Sequence, residues 1–129
     1  MLKKTLEWTI PLALAGNGDT NLTKTGYVIG SPKYMAPEQI LGKQVDYRAD
    51  IYSTGVIFYE MLTGTPPYTR GDHMAIMYQH VQGKCARCDE LNPSIPKPLA
   101  DVVHKAMAVD KLDRYESMTH FRNAIAQAI

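Results

Sequence analysis

The sequence predicts a mainly α protein with a loop-rich first third. Three observations carry that expectation. The stretch from Asp50 to Gly64 has helix boundaries at both ends and apolar residues on almost every side. The segments 72–83, 99–109 and 117–129 each set apolar residues at helical spacing. Before residue 43, by contrast, there is alternation and turn chemistry in place of a long helical period.

Residues 1–15 carry no clean period. Leu2, Leu6, Trp8, Ile10, Leu12 and Leu14 alternate with other residues, which predicts an extended strand interrupted at Pro11. Met1-Leu2-Lys3-Lys4 followed by 10–16 imitates a secretion signal, even to an Ala13-x-Ala15 pattern. Glu7 and Pro11 break the apolar stretch, so no signal peptide is read here. Residues 16–21 form a polar, turn-rich loop that runs into the hydroxyl-bearing segment 22–26. Tyr27-Val28-Ile29 reads as a short strand before Gly30-Ser31-Pro32. Between Tyr34 and Gly42, Pro37 followed by Glu38 marks the start of a short helix that Gly42 stops.

The next helix is the one the others should pack on. Asp50 can cap it or complement its N-terminal charge, Gly64 suits a left-handed residue after its end, and Pro66-Pro67 forbids continuation. Ile51, Tyr52, Val56, Ile57, Phe58, Tyr59, Met61 and Leu62 surround it, which predicts burial on several sides. Ser53-Thr54-Gly55 is small enough to let another backbone approach. Asp72 then caps a helix with Met74, Ile76, Met77 and Val81 at helical spacing, ended by Gly83. After a connection marked by Pro93, Pro96 and Pro98 comes a helix from about Leu99 to Val109, with Leu99, Val102, Val103, Ala106 and Met107 on its apolar face. Asp110 to Arg114 is a charged turn. Ser117 caps a last helix whose Met118, Phe121, Ile125 and Ile129 face inward.

At 129 residues this is one domain or part of one. With 14 basic against 13 acidic residues, net charge gives no pull towards nucleic acid or an anionic membrane. No apolar run approaches the roughly 20 residues of a membrane helix. The expectation is therefore no nucleic-acid partner and no membrane contact by this segment. Cys85 and Cys88 form one Cys-x-x-Cys. A structural zinc site takes four protein ligands, there is no second such pair, and His73 and His80 fit no zinc module. A redox pair wants a strand before it and a helix start behind it, whereas Asn92-Pro93-Ser94-Ile95-Pro96 follows. The two are read as ordinary loop thiols suited to a reducing, cytoplasmic compartment, with no metal ligands.

Three segments carry a resemblance. Gly30-Ser31-Pro32-Lys33-Tyr34-Met35-Ala36-Pro37-Glu38 resembles the end of a protein-kinase activation segment, closing in the Ala-Pro-Glu motif. Asp50-Ile51-Tyr52-Ser53-Thr54-Gly55 is similar to the Asp-x-Trp/Tyr-Ser-x-Gly start of the kinase central helix. Asp110-Lys111-Leu112-Asp113-Arg114-Tyr115 resembles the Asp-x-x-x-Arg turn between the last two kinase helices. In this order and at these separations they identify a partial kinase-like C-lobe: an activation-segment remnant and about four or five helices. The likeness runs from about Leu12 to Ile129, and its texture is that of bacterial serine/threonine kinases.

The resemblance implies roles. Glu38 would pair with Arg114 and tie the activation segment to the helical lobe, a task suited to the planar guanidinium fork. Asp50 would accept backbone hydrogen bonds from the catalytic loop, and Gly55 belongs to the same motif. Ser31 sits where serine/threonine kinases keep a hydroxyl beside the substrate, and Pro32 and Tyr34 lie in the wall that receives the residue after the target Ser or Thr. Thr23 and Thr25 fall where bacterial relatives autophosphorylate.

Phosphoryl transfer needs a glycine-rich loop over the phosphates, a lysine with its glutamate, a catalytic-loop aspartate and asparagine, and a metal-binding Asp-Phe-Gly. The sequence has no Gly-x-Gly-x-x-Gly, no Val-Ala-x-Lys and no His-Arg-Asp-x-x-x-x-Asn. Glu7-Trp8-Thr9-Ile10-Pro11 stands where Asp-Phe-Gly-Ile-Ala should be, and Lys3 and Lys4 do not rescue it. The organisation expected is thus an atypical N-terminus at 1–11, an activation-segment-like region at 12–42 and a helical C-lobe at 43–129, with N-lobe and catalytic loop absent. The family uses ATP and magnesium; this chain is expected to hold neither, to have no catalytic residues of its own and no kinase activity alone. Its partners would be a protein substrate or a partner kinase. The competing readings are a non-enzymatic interaction module, docking through 72–83, and a gene fragment without function.

Overall fold

The computed structural model describes residues 31–129. The strand expectations at 1–15 and 27–29, the turn at 16–21, and Thr23 and Thr25 lie outside the described residues. Within them the chain is mainly helical, and none is in a strand. Six α-helices are described: α1 (Pro37–Ile40), α2 (Arg48–Thr63), α3 (His73–Gln82), α4 (Cys88–Leu91), α5 (Lys97–Ala106) and α6 (Met118–Ala128). Two 3₁₀ turns, Pro32–Tyr34 and Lys111–Asp113, complete the described elements.

The long helix α2 forms the centre, as its residues predict. Ile51, Tyr52, Val56, Phe58 and Tyr59 are almost fully buried. It packs on α4, on α5 and on both 3₁₀ turns. Gly64 ends it in the left-handed region at φ 91°, its N–H returning to the Glu60 carbonyl at 2.7 Å. Gly55 meets the end of α5: a Cβ there would lie 2.9 Å from the Ala106 Cβ and 3.1 Å from the Met107 Cγ. The small residue is what lets the two helices approach.

Two expectations about α2 need correction. Burial does not run all the way round, because Asp50, Ser53, Ile57, Glu60 and Met61 make a half-buried stripe along one side. Of the two roles open to Asp50, the N-cap is not the one it takes. That position is Tyr47, without a side-chain cap, and Asp46 Oδ1 accepts the Arg48 N–H at 2.9 Å instead. Asp50 lies in the first turn, where a carboxylate complements the helix dipole. Not every element has α2 as its main neighbour, either. The last helix α6 packs chiefly on α5, reaching α2 through an edge-to-face contact between Phe121 and Phe58 at 5.6 Å.

The remaining helices start and stop for visible reasons. Asp72 caps α3 by accepting the Ala75 N–H at 2.9 Å, and Gly83 closes it at φ 70°. Its inward row is Ile76 and His80, while Met74 is 72% exposed. Met74 and Ile76 are two residues, about 200°, apart on a helix, so they cannot share a face. An apolar pattern misses the buried row because one of its members is a histidine. Helix α5 begins at Lys97, with Pro98 in its first turn, and ends at Ala106, earlier at both ends than expected. Ser117 caps α6 through the His120 N–H at 3.1 Å. Phe121 and Ile125 are buried, but Ile129, just past the helix, is about half exposed. The short helix α4 has no periodic signal in the sequence. It buries Cys88 completely, so that thiol belongs to the core and not to a loop.

Candidate functional site

The 31–42 segment lies folded onto α2 and α3 and is pinned at several points. The exposed Ser31 hydroxyl accepts the Lys33 N–H at 3.2 Å and opens the 3₁₀ turn, with Pro32 buried behind it. Tyr34 is held at both ends. Its carbonyl accepts the Ser53 hydroxyl at 2.6 Å, and its own hydroxyl donates to Glu60 Oε1 at 2.5 Å. Burial, with the Glu60 carboxylate beside it, pushes the Tyr34 phenol up to about 12. The stripe of α2 that is only half-buried is therefore the side that supports this loop. Gln39 closes the start of α1 by accepting the Ala36 N–H at 2.7 Å.

Glu38, in the first turn of α1, meets Arg114 from the far end of the chain. Arg114 Nη1 donates to Oε2 at 2.7 Å and Nη2 to Oε1 at 2.8 Å. The guanidinium also donates to the Ala108, Val109 and Arg48 carbonyls at 2.8, 3.1 and 3.0 Å. All five of its N–H groups are thereby satisfied in a fully buried position. It sits 4.8 Å from the centroid of the Tyr52 ring. Burial raises the Glu38 pKa, but the Arg114 hydrogen bonds and charge outweigh it, and the carboxyl stays below its ordinary value. Next to this pair, Lys111 donates to Asp46 and to the Gln44 carbonyl, adding a second link between the same two regions.

Asp50 contrasts with Glu38. It is half-buried, and desolvation raises its pKa. Its carboxylate makes no hydrogen bond or ion pair among the described residues, although its backbone carbonyl accepts the Thr54 hydroxyl at 2.7 Å. One polar residue at this site has no role that the sequence alone reveals. His80 on α3 is fully buried, with Nδ1 2.5 Å from the Tyr52 hydroxyl and Nε2 3.0 Å from the Lys33 carbonyl. Its spacing from Ile76, one helical turn away, was the available signal. Cys85 and Cys88 are free thiols, both raised in pKa chiefly by burial, Cys88 to about 11. Among the described residues no three His, Cys, Asp or Glu side chains gather as a metal site.

A loop is thus clamped onto a buried central helix by a bidentate ion pair, with further helices behind. The chain matches the protein kinase domain model over residues 14–125, and it belongs to that family. It is 38% identical over 122 residues to a probable serine/threonine-protein kinase PknB of Bifidobacterium longum, spanning 95% of this chain and 18% of that protein. It is 36% identical over 119 residues to the serine/threonine-protein kinase PknB of Mycobacterium tuberculosis, spanning 92% of this chain and 19% of that protein. A tyrosine-protein kinase, MasK of Myxococcus xanthus, is 43% identical over 103 residues, spanning 80% of this chain and 16% of that protein. The chain thus spans under a fifth of the length of these relatives.

Proposed function

We propose that this chain is the substrate-receiving part of a serine/threonine protein kinase domain, whose whole activity is phosphoryl transfer from ATP to Ser or Thr of proteins. Residues 12–42 are its activation-segment-like region and 43–129 its helical lobe. The observation that carries this reading is the state of the 31–38 loop. Tyr34 and Glu38 are anchored from α2 and Arg114, while the Ser31 hydroxyl beside them stays exposed. An anchored wall next to an exposed hydroxyl suits an extended peptide that must be held in register for transfer. The names of the PknB relatives favour Ser/Thr as the target.

On this reading Asp50 awaits backbone donors from a catalytic loop, and Thr23 and Thr25 are phosphate acceptors, each gaining about −1.5 to −2 charges. The 129 residues alone transfer no phosphate, because the sequence contains no catalytic-loop aspartate or phosphate-binding glycine loop. Incubation with radiolabelled ATP, magnesium and a basic protein should leave no label; label above a boiled control overturns this. NMR titration with a Ser-containing peptide should shift the Ser31, Lys33 and Tyr34 amides, and unchanged amides at saturating peptide overturn the wall. The free thiols Cys85 and Cys88 support a reducing, cytoplasmic setting. No described helix is long and apolar enough to cross a membrane.

A non-enzymatic interaction module is the second reading, favoured by Met74 and Tyr78, which are 72% and 64% exposed on α3. Capture of a partner kinase that is lost on Met74→Ser and Tyr78→Ser would support it.

A further inference from the structure

We propose that His80 is a positioning residue for the substrate-facing loop: its Nε2–H holds the Lys33 carbonyl while its Nδ1 accepts the Tyr52 hydroxyl, fixing the Pro32–Tyr34 turn to α2 and α3. The inference deepens the substrate-receiving reading above and rests on it for the word substrate; the geometry stands without it.

The hydrogen-bond directions leave one arrangement. A backbone carbonyl can only accept, so the ring nitrogen 3.0 Å from Lys33 must carry the proton. In a neutral imidazole the other nitrogen is then an acceptor, and the Tyr52 hydroxyl 2.5 Å away is its donor. A second ring proton would turn the Tyr52 oxygen into an acceptor and strand the phenol proton in a site where Tyr52 is 1% exposed. Burial accordingly pushes the His80 pKa down to about 4, against the opposing pull of the Lys33 and Pro32 carbonyls. The Tyr68 ring closes the pocket edge-on, 4.7 Å from the imidazole.

Tyr52 is shared by two anchors. Its hydroxyl fixes His80, and its ring carries the Arg114 guanidinium that grips Glu38. The loop is therefore tied to one aromatic residue of α2 from both ends, at Lys33 through a neutral contact and at Glu38 through a charged one. The neutral end is the one beside Ser31, where a fixed positive charge would alter what the wall accepts.

Nitrogen-15 NMR of the intact chain at neutral pH tests the tautomer directly. Protonated Nε2 and bare Nδ1 are expected at His80; an Nδ1–H tautomer or an imidazolium overturns the proposal, with no variant needed. Hydrogen exchange tests the positioning. His80→Leu should speed exchange at the Tyr34 and Met35 amides, which bond back to Ser31 and Pro32, by about tenfold relative to Val103 and Ile125. His80→Gln, which retains a donor and an acceptor, should restore most of that protection. Acceleration spread equally over all four amides, or none at all, overturns it. Should His80→Leu fail to fold, Tyr52→Phe keeps the ring and deletes the donor, and faster exchange confined to Tyr34 and Met35 is again the expected result. Peptide binding enters none of these readouts, so failure of the wall reading would show separately.

Discussion

Arg114 and Glu38, 76 residues apart in sequence, are joined by two parallel N–H···O contacts of 2.7 and 2.8 Å in the interior. The remaining guanidinium donors go to three backbone carbonyls, two of them in the turn before Lys111. The arginine therefore does more than neutralise a carboxylate. It closes the loop from Ala108 to Arg114 on itself and fastens that loop to α1 and to the start of α2.

Arg114→Lys should be severely destabilising despite keeping the charge. An ammonium has three donors and no planar fork, so it cannot satisfy the carboxylate and three carbonyls together. A loss of roughly 3–5 kcal/mol is expected in urea unfolding, as for other broken buried pairs. Glu38→Gln should be at least as costly, because it leaves the buried Arg114 guanidinium without a counter-charge and turns one of its two acceptors into a donor. Small losses for both variants would mean that the pair is not a structural anchor.

Acid should weaken the fold through the same pair. The Glu38 carboxyl has a lower pKa folded than its ordinary value of 4.5. Its contribution is therefore fully present above that value and is lost as pH falls through the folded pKa. Asp46 has a depressed pKa too, so the informative quantity is the difference between wild type and Glu38→Gln. Urea midpoints of the two should converge as pH drops below about 4.5. A constant gap between them would rule this linkage out.

The elements marked by end signals were the legible ones. Gly42, Gly64 and Gly83 all take positive φ at the ends of their helices, and Asp72 and Ser117 cap as their positions predict. Glu38 and Arg114, from two of the motif segments, do meet, whereas the hold of Ser53 and Glu60 on Tyr34 has no signal in those segments. What could not be read was contact direction. The inward row of α3 contains His80, whose burial depends on partners 28 and 47 residues away. Four-residue α4 is too short to show a period, and its Glu90 side chain, accepting the Arg87 N–H, starts it without any serine or aspartate cap. Residues 57 and 61 are apolar yet half-buried, because the hydrophobic pattern does not tell how completely each side of a helix is covered.

Gly55→Ala should disturb the packing of α2 on α5 although alanine favours helices. Its Cβ would sit 2.9 Å from the Ala106 Cβ, which has no flexible end to move aside. The helix-propensity gain of about 1 kcal/mol is smaller than the roughly 1–3 kcal/mol of overpacking. A net loss is expected in thermal or urea unfolding, largest when Ala106 is intact and reduced in the Gly55→Ala, Ala106→Gly double variant. A stabilised single variant would show that the two helices can separate at little cost.

Asp50→Asn should raise the stability of this chain. The carboxylate is half-buried without a partner among the described residues, and desolvation raises its pKa. For a carboxyl whose folded pKa is raised, the ionised form is the one the fold disfavours, so the penalty is present at neutral pH and disappears as pH falls through the folded pKa. Against this, a negative charge in the first turn of α2 gains about 0.3–1 kcal/mol from the helix dipole. Desolvation of an unpaired group is the larger effect, so a gain on the order of 1 kcal/mol is expected at pH 7, shrinking on acidification. In a kinase domain that supplies catalytic-loop N–H donors the same substitution should reverse sign, because the carboxylate then has charge-assisted partners to lose. Urea unfolding of Asp50→Asn in both settings checks the pair of signs, and a loss in this chain alone would show that the dipole, or a partner outside the described residues, already compensates the charge.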